Sequence, residues 1–154
     1  MGDPGSVLQD DVHWLMARTA RSLGVVEEAA IAHLGITLRE YVILAEVAAT
    51  PGRSQLAVAR AAAVDKSLMV TAVDRLEAGG LLERTPDPND RRVRALQLTP
   101  KGRRTMTQAA RAVQQTQDRL METLEPEQRA VFRAALLTLA DNGPQAGFDT
   151  TPCV

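Results

Sequence analysis

One change of hydrophobic period, at residues 79–81, constrains this chain more than any other feature. From Lys66 to Ala78 the apolar residues stand at helical intervals, with Leu68 or Met69, Val73 and Leu76 facing inward. Gly79-Gly80 then supply the left-handed backbone that stops a helix. Two short runs follow, 81–84 and 93–98, around the turn-rich Pro86-Asp87-Pro88-Asn89-Asp90, which is the pattern of a β-hairpin with a long tip. Upstream, Thr37 with Glu40 three positions on makes a capping box that opens a helix from 38 to about 49, ended by Thr50-Pro51-Gly52. Ser54 is a good N-cap for a short helix from 55 to about 62, with Leu56, Ala59 and Ala62 or Ala63 inward, and Asp65 caps the next. The predicted order is three short helices and then a hairpin.

Longer helices flank this centre. From residue 7 to about 33 the residues Val12, Leu15, Met16, Thr19, Leu23, Val26 and Ala30 recur at three and four, and Gly35 stands where a C-terminal cap belongs. Thr99 caps a fifth helix with Pro100 at its first position, and Met106, Ala109, Ala110, Val113, Leu120, Met121 and Leu124 form its apolar stripe. Pro126 opens a last helix carrying Val131, Ala135, Leu136 and Leu139, which stops at Asn142-Gly143-Pro144 and leaves 143–154 as a flexible tail. The fold class is therefore mainly α with a small β-hairpin. The 154 residues are 45% hydrophobic with only four aromatics, so the core is aliphatic and Ala-rich, which argues against an all-β sandwich. The single cysteine, Cys153, excludes a disulfide framework and a Cys-ligated metal site within one chain. Its own role is not legible. No apolar run approaches the roughly 18 residues of a membrane span, and residues 1–11 lack a basic and then apolar leader, so a soluble, cytoplasmic protein is expected.

The overall charge is −1, but residues 84–104 hold Arg84, Arg91, Arg92, Arg94, Lys101, Arg103 and Arg104 against Asp87 and Asp90, a local net of +5. Acidic ends thus flank a basic centre, the electrostatic footprint of a polyanion partner or of a solvated surface. The helix order is that of a winged helix-turn-helix, in which a helix enters the DNA major groove and a basic hairpin reaches the adjacent minor groove. The groove-facing set is Lys66, Ser67, Val70 and Thr71. Arg75 and Arg94 suit phosphate or an ion pair, as does Arg103. Ser54 and Gln55 place donors at a helix N-terminus, suited to a phosphate oxygen. The hairpin tip offers Arg91 and Arg92, with Asp90 able to hold a neighbouring guanidinium.

Three stretches, GIT-x-x-E-Y-x-I-L (35–44), VDRLEAGGLLER (73–84) and DPNDRRVRALQLTPKG (87–102), resemble the MarR family of bacterial transcriptional regulators over residues 10–140. The resemblance implies a winged helix-turn-helix DNA-binding domain over 37–99 and a helical dimerisation region made of an N-terminal helix (1–36) and C-terminal helices (100–142). It makes Arg92 the wing-tip minor-groove arginine, Asp90 its orienting acid, and Lys66, Ser67 and Thr71 the recognition-helix readers. Where this chain has Thr71 such helices often carry Arg, which leaves the base preference open. The implied protein is a homodimer on a pseudo-palindromic double-stranded DNA operator, most often a repressor.

Regulators of this family commonly hold a small ligand in a cleft beside the dimerisation helices, often an aromatic acid. His13, Trp14, Arg18, His33 and Tyr41 are the candidates here, since a ring, a guanidinium and an imidazole together suit an aromatic carboxylate. A plainer role stays open for them: packing for Trp14, ion pairing for Arg18, a helix-end cation for His33. Enzymatic readings have little to stand on. There is no G-x-S-x-G, H-E-x-x-H or G-x-x-x-x-G-K, and neither metal nor cofactor is expected. Two alternatives remain: a winged-helix module that grips an acidic protein, and a DNA-binding regulator with no small ligand.

Overall fold

The computed structural model describes residues 7–86 and 94–142. After a 3-10 turn at Val7–Gln9, the Asp11 carboxylate accepts the Trp14 N–H at 2.8 Å and starts α1 (Val12–Ile31). A second 3-10 turn, Ala32–Leu34, closes on Gly35 at φ 71. The expected 7–33 helix is thus α-helical only between two tighter turns. α2 (Leu38–Ala49) opens on the full capping box, with Thr37 Oγ1 accepting the Glu40 N–H and a Glu40 oxygen accepting the Thr37 N–H. Ser54 caps α3 (Gln55–Ala61), and Asp65 caps α4 (Lys66–Ala78).

α2, α3 and α4 pack around one aliphatic core of Ile43, Leu44, Val47, Val58, Ala59, Met69, Ala72, Val73 and Leu76. Each of the larger side chains contributes about 1.5–3 kcal/mol by leaving water. The short α3 turns Val58 and Ala59 inward rather than Leu56, which is 52% exposed. At the end of α4 only Gly80 is left-handed (φ 68), whereas Gly79 keeps helical angles.

The hairpin pairs β1 (Leu82–Pro86) antiparallel with β2 (Arg94–Leu98), Leu82 opposite Leu98 and Arg84 opposite Leu96. Leu81, Leu82, Leu96 and Leu98 join the core. Along the other edge of β2 runs the segment before α3. Ser54 bridges Ala95, Arg53 O accepts the Leu96 N–H at 3.0 Å, and Gly52 N–H donates to Leu96 O at 3.2 Å. That third backbone contact had no signal in the sequence, being a single bridge too short to show a period.

α5 (Pro100–Met121) starts against the hairpin. Thr99 Oγ1 donates to Gly80 O at 2.7 Å and accepts the Gly102 N–H at 3.0 Å, while Lys101 Nζ donates to Gly79 O at 2.8 Å. Gly102 lies so near Leu81 that a Cβ built on it would stand 1.9 Å from the Leu81 carbonyl oxygen. Ala109 and Val113 complete the core.

The chain divides into two units, one through Thr116 and one from Gln117 onward. In the second, Gln128 Oε1 accepts the Glu125 N–H at 3.0 Å and Arg129 Nε donates to Leu124 O at 2.9 Å, which fixes the turn into α6 (Pro126–Asn142) without a Ser or Thr cap. No described residue of α6 is buried. On α1, Val12, Leu15, Met16 and Val26 are likewise exposed. Among the described residues both helices therefore expose apolar side chains.

Candidate nucleic-acid interface

α4 is anchored to the core by Met69, Ala72, Val73 and Leu76, and its opposite side carries Lys66, Ser67, Val70 and Thr71, all exposed. The first turn is tied down locally. Asp65 Oδ1 accepts both the Ser67 N–H at 2.7 Å and the Ser67 hydroxyl at 2.6 Å. These bonds, the hydroxyl's first, hold the Asp65 carboxyl below its ordinary range. Its capping is therefore complete at neutral pH, and the stability it adds is lost only as pH falls through that lowered value. Thr71 Oγ1 bonds back to Ser67 O at 3.3 Å. The hydroxyls of Ser67 and Thr71 thus have their protons engaged and face solvent as acceptors, while Lys66 supplies the cation and Val70 a methyl surface.

Several charges of the basic segment make contacts within the chain. Arg84, counted in the local net charge of 84–104, turns back to α4 and bonds Asp74 at 2.5 Å and Glu77. Its Nε also meets Gln55 Oε1 at 3.4 Å. Burial opposes the charge, but the bonds to Asp74 and then Glu77 outweigh it and hold the guanidinium above its ordinary pKa. Lys101 is spent on Gly79 O and Arg103 on Leu98 O at 2.7 Å. Arg94, at the head of β2, is exposed, as is Arg53 beside the Ser54 bridge, a cation that no local sequence signal marks. Asp90, Arg91 and Arg92 lie outside the described residues.

Arg84 therefore works as a brace between the hairpin, α4 and the start of α3. It also engages the side-chain oxygen of Gln55, which with Ser54 forms the pair expected to offer donors to a phosphate oxygen. Ser54 Oγ caps α3 by accepting the Ala57 N–H at 3.2 Å. Arg75 takes the ion-pairing role, its Nε 3.3 Å from Glu40 Oε1. Arg84→Ala is expected to lower the unfolding free energy by about 1–2 kcal/mol. A cycle with Asp74→Asn, followed by urea unfolding, would show the two effects to be non-additive.

The MarR family description matches residues 34–93. Over 137 residues, 88% of this chain and 99% of the relative, the chain is 30% identical to an HTH-type transcriptional repressor of Mycobacterium tuberculosis. The chain belongs to the MarR family. As a MarR-family chain it is also 41% identical over 85 residues to a putative transcriptional regulatory protein for the hcr operon of Thauera aromatica, a match spanning 54% of this chain and about half (51%) of that protein. Among solved structures it is similar to the repressor CouR bound to a 23-mer DNA duplex, with a TM-score of 0.82, 29% identity and coverage of 91% of this chain and 99% of that one. It is similar too to CouR from Rhodococcus jostii RHA1 bound to p-coumaroyl-CoA, with a TM-score of 0.77, 30% identity and coverage of 88% and 96%. These relatives are transcriptional regulators, and the winged-helix DNA-binding architecture is common to this chain and theirs.

The five ligand candidates of this MarR-family chain do not meet within one chain. The Arg18 guanidinium lies 5.1 Å from the centre of the Trp14 ring, a cation–π contact. Tyr41 packs on the core beside Glu27, where burial first and Glu27 second raise its phenol pKa. Glu27 is about 20 Å along α1 from Trp14 at 1.5 Å per residue. His13 and His33 are exposed at opposite ends of the helix. Two open recesses flank the α1–α2 junction. One, of about 490 Å³, is lined by Glu28, Thr37, Leu38, Arg39, Val42, Ala62 and Val64. The other, of about 540 Å³, is lined by Gly24, Val25, Glu28, Ala29 and Ala32. None of the five lines either. Glu28, which lines both, accepts the Leu38 N–H at 2.7 Å. Among the described residues no cluster of His, Cys, Asp or Glu suits a metal ion, and no helix is long and apolar enough to cross a membrane.

Proposed function

We propose that this MarR-family protein is a homodimeric repressor of a pseudo-palindromic DNA operator, released by a small aromatic ligand. The observation that carries the reading is the pair of exposed turns at the start of α4, polar and cationic, on a helix fixed to the core by four buried residues. Lys66, Ser67, Val70 and Thr71 read base edges in the major groove. Ser54, Gln55, Arg75 and Arg94 take backbone positions, and Asp90, Arg91 and Arg92 carry the wing into the minor groove. The DNA duplex seen with CouR supports the partner class.

Dimerisation is supported by the uncovered apolar side chains of α1 and α6, among them Leu15, Met16, Phe132 and Leu136, which a second copy can bury. A two-fold dimer places its α4 helices about 34 Å apart, one turn of duplex. A ligand that alters this spacing weakens binding because both half-sites are no longer met together. The p-coumaroyl-CoA seen with CouR supports an aromatic effector. Trp14 and Arg18, already stacked, are the residues suited to a ring and its acid group. Sedimentation velocity tests the reading. Two chains per particle alone, two chains per duplex from the region upstream of the gene, and release by aromatic acids or their thioesters are expected. Monomers on the duplex, or indifference to every aromatic compound tried, would remove the corresponding part.

A further inference from the structure

Glu40 is 3% exposed, and both its oxygens are in use. Oε2 accepts the Thr37 N–H at 2.8 Å and completes the capping box of α2, while Oε1 lies 3.3 Å from Arg75 Nε on α4. The capping box alone would be met equally by glutamine. A second, charged oxygen on a guanidinium is a separate requirement. The pair is also one-sided, with the Glu40 side chain 4% exposed and that of Arg75 60%.

A guanidinium carries five N–H donors in one plane. An ion pair at Nε draws the guanidinium toward a buried carboxylate and leaves the four terminal N–H groups to meet a ligand. Arg75 stands one turn beyond Thr71 and two beyond Ser67, at the i, i+4, i+8 spacing of one helix face, so it extends the surface that the first turns of α4 present. Asp74 and Glu77, by contrast, face the hairpin through Arg84. We propose that Glu40 is a positioning residue for DNA binding, which holds the Arg75 guanidinium for a bidentate contact with a backbone phosphate.

This rests on the DNA-binding reading above and makes a prediction of unusual sign. A carboxylate near a polyanion repels it, so removing its charge should by simple electrostatics tighten DNA binding. Positioning requires the reverse. Fluorescence anisotropy with a labelled upstream duplex and with a duplex of scrambled sequence, each over a salt series, reads the difference. Glu40→Gln keeps an acceptor for the Thr37 N–H and is expected to weaken binding to both duplexes by about five- to tenfold, with a salt slope smaller by about one, as for one lost phosphate contact. Arg75→Ala should do the same, and the double variant should bind no worse than Arg75→Ala alone. Arg75→Lys keeps the charge but has no Nε, so it should behave like Arg75→Ala and gives a second route should Glu40→Gln fold poorly. Unchanged or tighter binding by Glu40→Gln, effects at 40 and 75 that add in full, or wild-type binding by Arg75→Lys would overturn the proposal. A wild-type protein that binds neither duplex would instead overturn the DNA reading on which it stands.

Discussion

Gly102→Ala is expected to lower the unfolding free energy by about 3 kcal/mol or more, measured by urea unfolding at an unchanged m-value. A Cβ at this position would lie 1.9 Å from Leu81 O and 2.9 Å from Leu81 C. Both atoms are backbone, so no side-chain rotation relieves the overlap. Leu81 cannot retreat, because its carbonyl also accepts the Thr99 N–H at 3.1 Å and its N–H donates to Leu76 O at 2.8 Å. The first turn of α5 would have to lift from the hairpin, pulling Thr99 from Gly80 O and Lys101 from Gly79 O. Gly24→Ala is the internal control. There a Cβ meets only Leu38 Cδ2, at 4.0 Å, in a helix interior where alanine is favoured by about 0.5–1 kcal/mol. If both substitutions cost the same, the close approach of α5 to Leu81 is not what Gly102 provides.

If α6 lines the two-fold interface of the proposed homodimer, Leu136→Asp is expected to separate the two copies and to weaken binding to the proposed operator by about a hundredfold or more. Leu136 is exposed in the single chain at 39%, beside Phe132 at 41%. A carboxylate there costs the single chain little, since the position is exposed enough to keep it in water. Across a two-fold interface, however, two such carboxylates would be taken out of water without partners, which costs several kcal/mol. Once the copies part, each half-site is held by a single α4 and the advantage of linked binding, about 10²–10⁴, is lost. Light scattering gives the mass and anisotropy the affinity. A variant that remains dimeric and binds normally would place the interface away from α6.

Much of the centre of the fold could be read from the sequence because it is written in local rules. Thr37 with Glu40, Ser54 and Asp65 each cap the helix expected of them, and Thr99-Pro100 starts α5 where it should. What escaped depends on distant partners. In a helix of 7 residues two turns do not define a face, so Val58 rather than Leu56 turned inward. Either glycine of the 79–80 pair satisfies the stop rule, and only the packing of Leu81 selects Gly80 for the positive φ. Charge counting cannot separate Arg84, Lys101 and Arg103, which bond within the chain, from Arg94, which is exposed at the head of β2. The ligand candidates share a chemistry and not a place, because the rise of α1 sets Trp14 far from Tyr41. The capping-box spacing accounts for one oxygen of Glu40, while the partner of the other, Arg75, stands 35 residues away on α4.

Recognition of DNA by α4 and the wing is tested most directly by anisotropy of a labelled duplex from the region upstream of the gene, titrated with the protein against a scrambled competitor over a salt series. The account predicts nanomolar binding that survives the competitor and saturates at two chains per duplex. It further predicts a loss of about 1–3 kcal/mol in Arg92→Ala and a salt dependence that steepens with the number of phosphates met. Binding abolished equally by any duplex, or absent at low salt while an acidic protein is captured instead, would contradict it and identify the winged helix as a protein-interaction module.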